Sequence, residues 1–349
     1  SSLRHAMLPI VAAIGGMALP VAIFACMSVS APYSGGAAIP MATDIAFTLG
    51  VLAMFGSRMP VSLKIFLTTL AVVDDIGGIA VIATVYTHGI EWPYIVAAVV
   101  SLCVLMAGSA MHIKSKIFYL GIGGIVWFLT LNSGIHPTIA GVLVAFCVPA
   151  TPVFAPKKYI RIIRGSIAHF RSEDDETLSK RTILSREQLD WLKVIESASD
   201  KVISPLQELE DSLHPVVNYF IVPLFAFANA GIYLLDFSPA MVFGGVSVAI
   251  MVSLGIGKFL GIFLFSWVAI RTGVATMPEN TTWRMLASVA VLGCIGFTVS
   301  LFIASLTFDT PSEAMMLDQA KLGIVVGSLV SGVAGYFMRG HSLRRRDRA

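Results

Sequence analysis

Residues Leu70 to Ala83 read LAVVDDIGGIAVIA, and the adjacent aspartates Asp74 and Asp75 decide how the rest of the chain is read. They sit inside an apolar run long enough to pass through a bilayer, which takes about 20 residues in a helix. An ionised side chain at the bilayer centre costs about 3 kcal/mol on insertion scales, so acids in such a run face a protein or aqueous interior and mark function. Adjacent helical residues point about 100° apart, so the two carboxylates cannot address one point equally. One of them is expected to be the primary ligand.

The whole chain has this character. It has 349 residues, 56% of them hydrophobic and 13% charged, with a mean hydropathy of +0.83; a soluble domain is nearer a quarter charged. About ten apolar stretches of roughly 20 residues can be counted, which predicts an all-α polytopic membrane protein. A membrane barrel would show short alternating strands, and the sequence has no such alternation. The four cysteines, Cys26, Cys103, Cys147 and Cys294, fall in separate apolar stretches with no metal-ligand spacing and read as small packing residues.

Cytoplasmic loops near a membrane are enriched in Lys and Arg. Threading ten crossings puts Arg4, Arg58, Lys64, Lys114, Lys116, Arg271, Arg284 and Arg339 on one side, with Glu91, Asp236, Asp309, Glu313 and Asp318 on the other. Both ends of the chain are therefore expected to be cytoplasmic. The basic tail, residues 341–349, is read as a topology signal that meets anionic lipid, not nucleic acid. The expected organisation is six transmembrane helices over residues 1–154, a charged cytoplasmic insertion over 155–211, and four more helices over 212–340. Within the insertion Leu189, Leu192, Ile195, Val202 and Leu206 recur at helical spacing, as in an amphipathic helix.

Two apolar segments are interrupted near their middles: SGGAAIPMATDIAFTLG at Ser34 to Gly50 and VLGCIGFTVSLF at Val291 to Phe302. Each is the centre of a group of three. Paired interruptions in corresponding halves point to an inverted-repeat transporter whose discontinuous helices cross at a midplane site. Four charged residues lie inside apolar segments: Asp44, Asp74, Asp75 and Lys258. Pro40 removes a backbone donor just before Thr43 and Asp44 and loosens the helix there. Carboxylates, freed carbonyls and the Thr43 hydroxyl are the oxygens a hard cation selects. A proton competes for the same carboxylate oxygens, and in an alternating-access protein such competition gives exchange.

The stretches LRHAMLPIVAAIGGMALP, IPMATDIAFTLGVLAMFGSR, LKIFLTTLAVVDDIGGIAVIA, HPTIAGVLVAF, LHPVVNYFIVPLFAFANAGI, GKFLGIFLFSW and CIGFTVSLFIASLTF together resemble the NhaA-type sodium/proton antiporters of bacteria nearly end to end. The resemblance implies that Asp75 is the main cation and proton carboxylate, with Asp74 the second ligand and Thr43 an additional one. It implies that Asp44 compensates the positive ends of the two broken helices, and that Lys258 balances the opposite ends or pairs with Asp74. Glu210, Asp211 and His214 match a region that the family uses for pH response, although Asp211 stands where well-known members carry histidine. The insertion is longer than in compact members, and the chain begins at what resembles the third helix of the family. Homodimer contacts in the family involve the two helices before it.

Other residues have plainer readings. His136 before Pro137 reads as a helix-capping histidine, and Asn229 in FAFANAG as the source of one interhelical hydrogen bond. Two rival functions fit the residues less well. An intramembrane aspartyl protease would want Gly-x-Gly before a catalytic aspartate, where this chain has AVV and MAT; a cation channel would need no proton coupling. The expected function is an electrogenic, pH-regulated antiporter of the bacterial inner membrane, not an enzyme, exporting sodium or lithium in exchange for protons. It is expected to need no cofactor, to contact lipid, and to bind no nucleic acid.

Overall fold

A computed structural model describes residues 3–55, 59–85, 87, 89–151, 161, 163–165, 189–190, 192–195, 203–229, 231 and 239–346. Most of the charged insertion, including Val202 of its amphipathic pattern, lies outside these residues. Among the described residues every regular element is helical. The chain divides into two compact units, Ser1–Tyr86 with Asn218–Ala349, and Thr87–Val217.

The first unit opens with α1 (Leu3–Met27), a 3₁₀ segment (Ser34–Met41), α2 (Ile45–Ala53) and α3 (Val61–Val85). The second unit holds α4 (Trp92–Ala110), α5 (Lys116–Asn132), α6 (Thr138–Cys147) and α7 (Pro205–Val216). The chain then returns to the first unit with a π-helical turn (Val217–Ile221), α8 (Val222–Asn229), α9 (Pro239–Val242) and α10 (Gly245–Val252). A second π turn (Ser253–Gly257) leads into α11 (Lys258–Arg271), followed by α12 (Trp283–Leu292), α13 (Phe297–Thr307), a 3₁₀ turn (Pro311–Glu313) and α14 (Ala314–Arg346).

Among the described residues six stretches are long and apolar enough to cross a membrane: Ala6–Met27, Ser34–Ala53, Val61–Val85, Trp92–Ala110, Gly245–Arg271 and Pro311–Met338. The pair α12 and α13, bent by 43° at its break, makes a seventh when taken as one span, and α5 and α6 are shorter apolar helices. Both interrupted segments are thus broken where the sequence placed the breaks. The last helix runs well past the apolar stretch that ended at Met338, because the backbone stays helical to Arg346.

Polarity is distributed as a bilayer requires. Along α3, Ile65, Val72 and Ile76 face outward, while Leu63, Leu67, Leu70, Asp74 and Gly78 are buried. The exposed face is apolar and the interior face carries the charge, because the solvent here is lipid. Small residues let helices approach: a Cβ built on Gly15 of α1 would stand 2.5 Å from the Gly261 carbonyl of α11. That crossing tolerates glycine alone, the close-packing device of membrane helices.

Two buried apolar clusters fill the first unit. One gathers Leu8, Leu63, Leu67, Leu70, Ile262, Leu286 and Val289; the other gathers Phe24, Ile39, Val246, Ile250, Leu301 and Ile324. Phe297, the first residue of α13, packs against both. The break before it therefore sits where the two apolar layers meet.

In the second unit α4, α5 and α6 pack around Leu105, Tyr119, Val126 and Ala140, with Leu206 and Leu209 of α7 against them. Ser204 starts α7 by accepting from the Gln207 N–H at 3.2 Å, with Pro205 in the first turn where its missing donor costs nothing. Lys116 ties α7 to α5 through Glu208 at 2.9 Å and the Ser212 hydroxyl at 2.8 Å. His136 caps α6 as expected, its Nδ1 lying 2.9 Å from Thr138 Oγ1 and 3.5 Å from the Thr138 N–H. Asn229 differs from expectation: its amide donates to Phe225 O in its own helix at 2.9 Å, because a carbonyl one turn back is always within reach. Cys26 and Cys103 are exposed and Cys147 and Cys294 buried, so two of the four line an outer face where packing was expected.

Candidate functional site

The site grows from the two chain breaks. After the 3₁₀ segment ends at Met41, Ala42 turns the chain extended and Asp44 becomes the N-cap of α2, its Oδ1 accepting from the Phe47 N–H at 3.1 Å. An N-cap aspartate satisfies an orphan donor and offsets the positive end of the helix dipole. The second break does the same without a capping side chain, since α13 follows Gly296 and no side-chain cap bond forms there. Asp44 supplies what is missing: its Oδ2 accepts from the Thr298 N–H at 2.9 Å and the Thr298 hydroxyl at 2.5 Å. The Asp44 N–H donates in return to Ile295 O at 2.6 Å. One carboxylate therefore caps two helices across 254 residues of sequence.

Thr43 lies one residue before. Its hydroxyl is 2.5 Å from Asp74 Oδ2 on α3 and 3.0 Å from the Gly293 carbonyl at the end of α12. Thr48, one turn into α2, donates to Leu292 O at 3.3 Å. Both broken segments are thus stitched together at 292–298 and 43–48, and Asp74 is drawn into the same seam.

Lys258 closes the cluster from α11. Its ammonium stands 3.0 Å from Asp74 Oδ2, with both side chains fully shielded, and donates also to the Met41 carbonyl at the end of the 3₁₀ segment. The amine thereby pairs with an acid and satisfies the negative end of the first half-helix at once. The lysine thus contacts both the acid and one of the helix ends that the resemblance named as alternatives.

Asp74 is fully buried and Asp75, the next residue on α3, is half-buried. Oδ1 of each is buried without a hydrogen-bond partner. Buried carboxylate oxygens nearly always have donors, so two orphans on adjacent residues mark a place built for something other than protein. Carboxylate oxygens without donors are the kind that a hard monovalent cation or a proton takes up, and the Thr43 hydroxyl is a further oxygen bonded to Asp74.

The structure gathers Thr43, Asp44, Asp74 and Lys258 into one bonded cluster and sets Asp75 beside it. Glu210, Asp211 and His214 lie on the exposed last turns of α7, in the second compact unit. Sequence reasoning missed Thr298 and the carbonyls of Met41, Gly293 and Ile295. Thr298 carries a signal in hindsight, standing two residues after Gly296 in CIGFT, where an N-cap side chain would point. The carbonyls carry none, because every residue has one.

Comparisons with known proteins agree with this geometry. A family model described as Na+/H+ antiporter 1 matches residues 1–338. A protein of Phocaeicola vulgatus named Na(+)/H(+) antiporter NhaA is 51% identical over 339 residues, covering 97% of this chain and 74% of its own length. A protein of the same name from Bacteroides thetaiotaomicron is 49% identical over 341 residues, covering 97% of this chain and 76% of its own. Na(+)/H(+) antiporter NhaA 1 of Saccharophagus degradans is 42% identical, covering 96% of this chain and 72% of its own length. A match along nearly the whole chain, with broken helices crossing at buried acids, places it: the chain belongs to the Na+/H+ antiporter 1 family.

Proposed function

We propose that the protein exchanges sodium or lithium for protons across the bacterial inner membrane by alternating access, with Asp75 and Asp74 as the carriers and Thr43 as a further ligand. The observation that carries this is the pair of unpartnered carboxylate oxygens on Asp74, which is bonded into the crossing of the two broken helices through Thr43, and on Asp75 beside it. A sodium ion entering there shares the Asp74 carboxylate with the Lys258 ammonium, which holds Oδ2 at 3.0 Å. Two cations on one buried carboxylate repel each other, so the ion displaces the amine and any proton on the carboxylates. When the proton returns from the other side, the lysine contact reforms and the sodium leaves.

Asp44 has a separate duty on this reading. Both of its oxygens are committed to helix ends, so it balances their charge and does not carry the ion. If both Asp74 and Asp75 give up protons, more than one crosses per sodium and the exchange moves charge. Glu210, Asp211 and His214 are candidates for pH response, and the ends of the chain are assigned to the cytoplasm by the distribution of Lys and Arg. The ions are substrates and the reading needs no resident cofactor. The proposed setting also includes lipid contact and a homodimer. Antiporter relatives and a carboxylate neutralised by lysine leave the channel and protease readings without support.

The test is ion exchange by the purified protein in sealed liposomes carrying an internal pH dye. Adding sodium outside acid-loaded vesicles should drive proton efflux that saturates with sodium and is unchanged by potassium. Sodium entry with no proton movement would overturn the reading in favour of a channel.

A further inference from the structure

We propose that Thr298 is a positioning residue of the exchange site: its hydroxyl fixes the Asp44 carboxylate across the crossing and so sets Thr43 and Asp74 for the cation. This rests on the antiport reading above. The argument begins with a missing cap. The residue before α13 is Gly296, which has no side chain to offer. Nothing larger fits there, since a Cβ would stand 3.0 Å from the Ala42 carbonyl and 3.0 Å from Leu254 Cδ1, and closer still to the Ser300 hydroxyl. The two breaks approach so closely at Gly296 that the second helix cannot cap itself.

Asp44 takes over that role, and Thr298 meets it with two donors where an ordinary capped position offers one. The backbone N–H lies at 2.9 Å and the hydroxyl at 2.5 Å from the same Oδ2. The N–H would be present with any side chain except proline. The hydroxyl is what this residue adds, and a hydroxyl on a buried carboxylate is a charge-assisted bond of the stronger class.

Its reach extends to the ligands through one peptide link. Asp44 is bonded to Thr43, whose hydroxyl lies 2.5 Å from Asp74 Oδ2. The Asp44 N–H and the Thr43 hydroxyl both address the second break, at Ile295 and Gly293. If Oδ2 loses the Thr298 hydroxyl, the carboxylate keeps only the Phe47 and Thr298 N–H bonds, the two breaks are held together less tightly, and the Thr43 hydroxyl is aimed less firmly at Asp74. Thr298 touches neither carried ion, so its effect is on affinity and not on the identity of the carrier.

The experiment compares Thr298→Val and Thr298→Ser in the liposome exchange assay, alone and with Asp44→Asn. Valine keeps the shape and the backbone N–H and removes the hydroxyl; serine keeps the hydroxyl. Thr298→Val should raise the sodium KM by about tenfold, the scale of one charge-assisted bond, with a smaller change in kcat. Thr298→Ser should recover most of that loss. In the Asp44→Asn background Thr298→Val should add much less than it does alone, because its effect passes through that carboxylate. A Thr298→Val protein with native KM, or a serine variant as impaired as valine, overturns the inference while leaving the antiport reading intact. Full additivity with Asp44→Asn overturns it as well. If the native protein shows no sodium-driven proton movement, the reading falls and this inference with it.

Discussion

Replacing Lys258 with methionine should cost the fold more than removal of any exposed charge, and the size follows from the contacts of its amine. The ammonium bonds Asp74 Oδ2 at 3.0 Å and the Met41 carbonyl, with both charged side chains fully shielded from solvent. Methionine fills the volume of the stem, so cavity formation adds little. What is lost is the countercharge, and breaking a buried pair from one side costs about 3–5 kcal/mol because a carboxylate is left buried and uncompensated. Lys116→Met is the internal reference. Its pair with Glu208 has side chains 36% and 42% exposed, and such pairs contribute about 0–1 kcal/mol after screening by solvent. The Lys258→Met, Asp74→Asn double variant should recover a substantial part of the loss, since the neutral amide no longer needs a cation. Chemical denaturation in mixed micelles, followed by intrinsic fluorescence, reads the native protein, the Lys258→Met, Lys116→Met and Asp74→Asn single variants, and the double variant. A Lys258→Met loss no larger than that of Lys116→Met, or a double variant as unstable as the two single losses added, would refute the reasoning.

Two further predictions concern the exchange itself. Thr43→Val, which removes a hydroxyl lying 2.5 Å from Asp74 Oδ2, should raise the sodium KM by about tenfold, whereas Thr43→Ser should stay near the native value in the same assay. Apparent sodium affinity should weaken as pH falls, because protons and sodium compete for the Asp74 and Asp75 oxygens. One competing proton changes KM by up to about tenfold per pH unit and two by more, which sodium titrations at several pH values will read.

Much of the fold was legible because a membrane simplifies the code. Helices that face lipid must be apolar along their length, so the span from Val61 to Val85 announces itself by hydropathy and Asp74 and Asp75 stand out within it. The breaks at 42–44 and 293–296 were visible through Pro40, Thr43 and the glycines around Cys294. Length was read less well. The 3₁₀ geometry of Ser34–Met41 and the π turn at Ser253–Gly257 left no trace in the apolar pattern, since hydropathy does not distinguish one helical winding from another.

The site was legible as a list of charges and not as a network. Asp44, Asp74, Asp75 and Lys258 declare themselves by being costly in lipid. That Lys258 meets Asp74 and Met41 together, or that Asp44 caps a helix 254 positions away through Thr298, depends on how two distant breaks cross. A threonine in a membrane helix is an ordinary residue until its partner is known. Asn229 shows the converse, a polar side chain whose expected partner across helices lost to a carbonyl in its own.

The central claim, that the unpartnered acids of α3 trade a sodium ion for protons, is tested most directly by sodium-driven proton efflux from liposomes containing the native protein or Asp75→Asn. The substitution is nearly isosteric, and the Asp75 Oδ1 has no hydrogen-bond partner for it to disturb, so the fold should be kept. The account predicts saturable, pH-dependent efflux with the native protein and none with Asp75→Asn at the same protein density. Native-like efflux from Asp75→Asn would contradict it and place the carrier elsewhere.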